Sequence, residues 1–136
     1  MKTAIFFSLL IFTTQTFAAL PIFGTWYNVY SSSGDSFLPE SLTQIGEDGT
    51  IKWEVLFPNS IQKQVVVFKA VITADSVQTI SIVSQTNCSN ASMQVDPTAR
   101  AYTVSGDVLK FAGFADRRRA TAEQIQKFAT LQEGCR

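Results

Sequence analysis

From Gly24 onward large apolar and polar residues alternate along the chain, and Gly, Pro, Asn and Asp clusters interrupt them at short intervals. That is the pattern of half-buried strands joined by turns rather than of helices. In "TWYNVY" the alternation places Trp26, Asn28 and Tyr30 on one face and Thr25, Tyr27 and Val29 on the other, and "SSSGDS" ends the strand. "SLTQI" and "TIKWEVLF" flank "GEDG", a four-residue connection suited to a hairpin. In the second arm Ile51, Trp53, Val55 and Phe57 share a face, while Lys52, Glu54 and Leu56 take the opposite one, where Lys52 and Glu54 are expected to meet water. "KQVVVFKAVI" and "VQTISIVSQ" form a second hairpin around "TADS", and "ARAYTV" and "VLKFAGF" a third pair around "SGD".

These segments are adjacent in sequence and joined by short turns. They predict an all-β fold, an antiparallel up-and-down β-barrel of about seven to eight strands, closed so that no edge is left unpaired. The period changes in the tail. In "TAEQIQKFATLQ", Thr121 and Gln124 stand at capping-box spacing, and Ile125, Phe128, Ala129 and Gln132 make one stripe. A short amphipathic C-terminal helix that needs a surface to dock on is expected.

The first eighteen residues read as a secretory signal: Lys2, the apolar run "AIFFSLLIF", then "TQTFA". Cleavage after Ala18 places small side chains, Thr16 and Ala18, where the peptidase requires them. The run is far shorter than the roughly 20 residues of a membrane span. Residues 19–136 then form a single domain that is secreted or periplasmic, with no integral membrane segment after removal of the signal. Its ten Lys and Arg against eleven Asp and Glu leave a net charge of −1, which attracts neither nucleic acid nor an anionic membrane. Cys88 and Cys135 both fall in the exported part, where an oxidising compartment favours a disulfide over two free thiols. Asn87 and Asn90 each begin an N-glycosylation triplet, which counts only in a eukaryotic host.

Catalytic chemistry is thin. The chain has no His, so imidazole-based metal sites and triads are excluded, and the paired cysteines leave no thiolate nucleophile. No Gly-x-Ser-x-Gly elbow or phosphate-cradling Gly loop occurs. Glu47, Asp48 and Asp107 read as solvated turn residues. No cofactor or metal is implied, and a non-enzymatic binding protein is expected.

Gly24 and Trp26 on the first strand, with an Arg just after the last barrel strand, resemble the lipocalins and the wider calycin superfamily. In that arrangement the Arg lies across the Trp and closes one barrel end. Here the Arg is one of Arg117, Arg118 and Arg119 in "DRRR", a run that also reads as an exposed strand-to-helix connection or as a contact for an acidic partner. The middle Thr-Asp-Tyr motif of the lipocalins is absent, so the resemblance is to a reduced lipocalin-like domain. "GTWYN" is also similar to the opening of the avidins, which would put a ureido oxygen on Asn28 and Ser32. The later Gly-Thr-Tyr and Trp-Ser-Gly segments of that family are missing.

Two functions follow. A hollow barrel would hold a small apolar ligand against Trp53, Val55, Phe57, Phe68, Tyr102 and Phe111. The same residues in a filled barrel would be plain core, and the domain would then bind a protein partner. The small lipocalin-like bacterial protease inhibitors, which it also resembles, do so, and here "ALPIF" (19–23) would be the exposed extended segment, although such an apolar stretch reads more simply as the lead-in to the first strand. An empty apolar interior separates the two.

Overall fold

The computed structural model describes residues 19–29, 39–88 and 94–136. The signal segment, Ser32 and Asn90 lie outside them. The strands are β1 (Gly24–Val29), β2 (Glu40–Ile45), β3 (Thr50–Leu56), β4 (Gln64–Ile72), β5 (Ser76–Gln85), β6 (Arg100–Ser105), β7 (Val108–Phe111) and β8 (Arg117–Arg119), followed by helix α1 (Ala122–Thr130). Every neighbouring pair is antiparallel, and β1 pairs with β8, so the sheet is a closed eight-stranded up-and-down barrel.

Turn chemistry sets the register. Between β2 and β3, Gly46 N–H donates to the Thr50 carbonyl at 2.9 Å, and the Asp48 carboxylate accepts from Thr50 N–H at 2.9 Å. Gly49 sits at φ +78°, and a Cβ there would meet the Ala70 carbonyl oxygen at 2.5 Å, so both conformation and contact require glycine. Trp26 then faces Thr43, Thr43 faces Trp53, and Trp53 faces Val66 around the inner wall. The core gathers at one end of the barrel: Ile22, Trp26, Ile45, Ala70, Val77, Tyr102 and Leu109 are buried together, with Leu20 and Phe23 packed against them. The segment 19–23 is therefore a lead-in packed on the core through Leu20, Ile22 and Phe23, with Ala19 and Pro21 exposed, and not an extended arm. Ile22 is fully buried, and its carbonyl accepts from the Trp26 indole N–H at 2.8 Å, because an apolar lead-in beside the barrel's core is most stable packed into it.

Two features depart from the sequence reading. The "RRR" run is the eighth strand and not a connection; its three residues pair with β1 and β7. Glu54 does not meet water. It lies on the outer face of β3, is 2% exposed, and is clasped by Lys63 at 2.6 Å and Lys52 at 3.2 Å. Lys63 Nζ also donates to the Phe128 carbonyl at 2.7 Å, so the helix and tail cover the carboxylate that alternation alone assigns to solvent.

The helix has the expected cap. Thr121 Oγ1 accepts from Gln124 N–H, and the Gln124 side chain returns the bond to Thr121 N–H. Phe128 is fully buried, whereas Ile125 is 38% exposed, so the stripe docks through its C-terminal half. Beyond it the tail runs beside residues 61–63, with the Arg136 carbonyl accepting from Ile61 and Gln62 N–H. The Cys88–Cys135 disulfide, with Cα atoms 5.2 Å apart, ties that tail to the loop after β5. Closing 47 residues of sequence separation is worth ~4 kcal/mol in the chain-entropy account.

Candidate functional site: the barrel interior

The closed end is built on Gly24, Trp26 and Arg119. Trp26 is fully buried, and the Arg119 guanidinium carbon lies 3.9 Å from its ring centroid. The same guanidinium donates to the Phe23 carbonyl at 2.6 Å and to the Pro21 carbonyl. Gly24, at φ +123°, is where this approach happens: a Cβ would stand 2.5 Å from Arg119 Nη1. Of the three arginines, Arg119 closes the barrel. Arg118 points outward and is exposed, and Arg117 points in, its guanidinium 5.4 Å from the Phe111 ring centroid.

Above this floor the interior is not filled. A cavity of about 580 Å³ is lined by Trp53, Val55, Phe57, Phe68 and Phe111, five of the six residues expected from the sequence, together with Ile45, Ile51, Val77 and Phe114. Ile51, Trp53, Val55 and Phe57 of one face of β3 all reach it, as their alternation requires. Tyr102 does not line it. Its ring joins the core cluster, 6.1 Å from Phe111, and its hydroxyl donates to the Thr73 carbonyl at 2.6 Å. Burial, and then the nearby Asp75 charge, raise its pKa.

The rim is wetter than the floor. Phe57 and Phe114 are 43% and 46% exposed, and Asp96, Thr98, Arg100 and Arg117 add polar groups. Asp96 pairs with Arg100 at 2.6 Å, and the Arg100 guanidinium lies 4.7 Å from the Phe114 ring centroid. Here β5 leaves β6 after only two paired residues, Ser76 and Val77, and Gln78 bridges to the Pro97 carbonyl at 3.0 Å. Sequence reading does not place Arg117 and Arg100 at the cavity: Arg117 reads there only as one of three candidates to close the barrel end, and Arg100 is a charge within the "ARAYTV" strand. Thr43 and Ile45 were within reach of it, since "SLTQI" faces the Trp53 strand.

The arrangement can enclose an apolar body: aromatic walls, a sealed floor, and a mouth edged by charges that stay hydrated or paired. The S-S bond is consistent with an oxidising compartment, and among the described residues no helix is long and apolar enough to cross a membrane. The eight-stranded barrel with its C-terminal helix is compatible with a calycin-like fold. No family model matches the chain, and neither a curated protein nor a solved structure is significantly similar to it.

Proposed function

We propose that this protein is an exported, non-enzymatic carrier of lipocalin-like type that holds a small apolar ligand inside its barrel. The observation that carries the reading is the cavity of about 580 Å³ walled by Trp53, Val55, Phe57, Phe68 and Phe111, within the ~300–1,000 Å³ usual for small-molecule sites. An interaction module built on a filled barrel has no need of such a space, and three of the residues it would present, Leu20, Ile22 and Phe23, pack in or against the core.

Native mass spectrometry of the oxidised protein from its own host tests this directly. A retained small molecule, released on unfolding and lost in Trp53→Ala while the variant still folds, is the expected result. A protein that carries no guest, leaves apolar fluorescent probes unbound, and loses several kcal/mol on Trp53→Ala as a core residue would, overturns the carrier reading in favour of the protein-binding one.

A further inference from the structure

Among the described residues, the charged groups lining the cavity are two cations, Arg100 and Arg117, and one anion, Asp96. Asp96 is already satisfied: its carboxylate accepts from the Arg100 guanidinium at 2.6 Å and from Thr98 N–H at 3.0 Å. Arg100 is committed to it and to the Phe114 ring at the rim. Arg117 is placed differently. Two residues before Arg119 on β8, it shares the inward face with the residue that seals the floor. It pairs across the ladder with Leu109 of the buried core, is half-buried, and holds its guanidinium near the Phe111 ring of the cavity wall.

Resting on the carrier reading, we infer that Arg117 receives the head of the guest, and that this head is a carboxylate on an apolar body. A guanidinium stays ionised in proteins. Against aromatic walls, where water screens weakly, it attracts an anion far more strongly than it would at the surface. The lining carries one more positive than negative charge, which matches a monoanion, whereas a phosphomonoester brings close to two charges. A cationic guest would meet two arginines and a single acid that is already paired. The other polar side chains of the lining include Thr43, Thr79 and Thr98, whose hydroxyls donate as readily as they accept and so suit an anion beside them.

Decanoate, decanol and decylammonium, offered separately to the oxidised protein at neutral pH and followed by calorimetry, share a chain and differ in the charge of the head. Decanoate is expected to bind at least ~10-fold more tightly than decanol, and decylammonium more weakly than either. Arg117→Met should remove that preference with decanol binding unchanged, Arg117→Lys should keep part of it, and Arg118→Met, on the outer face of the same strand, should leave it whole. If Arg117→Met does not fold, the unaltered protein decides by NMR of carboxyl-labelled decanoate. The bound carboxyl should titrate below its value in water when a cation holds it, and above that value when burial alone acts. If decanol or decylammonium binds as tightly as decanoate, if the preference survives Arg117→Met, or if the bound carboxyl titrates above its value in water, the head-group assignment is wrong and the carrier reading stands. If none of the three binds, the carrier reading fails and takes the assignment with it.

Discussion

Arg119 commits its guanidinium three ways, to the Trp26 ring and to the carbonyls of Pro21 and Phe23. Charge-assisted hydrogen bonds contribute ~1.5–3 kcal/mol and a guanidinium over an indole ~0.5–2. Arg119→Met should therefore lower stability by about 2–4 kcal/mol in urea unfolding, whereas exposed Arg118→Met should stay within about 0.5. Equal effects at the two positions would contradict the assignment of Arg119 as the closing residue. Gly24→Ala acts on the same contact, so its cost and that of Arg119→Met should fall short of additive in the double variant. Tyr102 supplies a pH signature. Its raised folded-state pKa means that stability is intact below the unfolded tyrosine value of about 10 and is lost as pH rises from there through the higher folded value. Tyr102→Phe should flatten that alkaline fall, which a pH series of thermal unfolding between 8 and 11 reads. Gly24 and Trp26 were legible as a closing pair in the sequence only through their resemblance to the lipocalin arrangement. Which of three consecutive arginines met them was not, since that depends on a contact almost a hundred residues away along the chain.

At the level of elements, alternation was enough to place seven strands, and a change of period was enough to place the helix. It failed where an element is too short to show a period or where tertiary packing covers an outer face. Three residues of β8 contain no apolar position at all, so only pairing with β1 and β7 defines them as a strand. Glu54 stands on the face expected to be wet, and it is the docking of α1 and the tail through Lys63 that dries it. Removing one partner of a buried ion pair costs ~3–5 kcal/mol, while replacing both by apolar groups of similar volume is often neutral or better. Lys63→Met should accordingly destabilise strongly and loosen α1 to proteolysis, and Glu54→Leu combined with Lys63→Met should recover most of the loss. A double variant as unstable as the single would show that Lys63 matters for the Phe128 carbonyl rather than for the charge.

For the whole molecule, alternation showed that Trp53, Val55 and Phe57 face inward but could not say whether side chains fill the space they face. That depends on the sum of all eight walls. Tyr102 was indistinguishable from them in sequence, yet its place near the closed end puts it into the packed floor. A substitution that adds volume to the wall separates a cavity from a core. Thr79 lines the cavity, so Thr79→Phe should change folding stability by less than about 1 kcal/mol and weaken apolar probes at least tenfold. In a packed interior the same change would cost ~1–3 kcal/mol through strain. Thermal shift and probe titration on one sample give both readings.

The pairing of the first strand with the last also has a consequence in time. Trp26 leaves the ribosome early, and Arg119, which covers it, follows 93 residues later in sequence. At ~5–20 residues per second of synthesis that is an interval on the order of ten seconds, during which β1 has no eighth strand to meet and its indole no lid. The barrel cannot lock until synthesis is almost finished, and topologies closed by such distant contacts are slow to fold once released. A chain stopped at Asp116 should stay protease-sensitive with Trp26 emitting as in water, while one stopped after Arg119 should begin to protect it. The molecule is thus an open ribbon, not a barrel, for most of its synthesis.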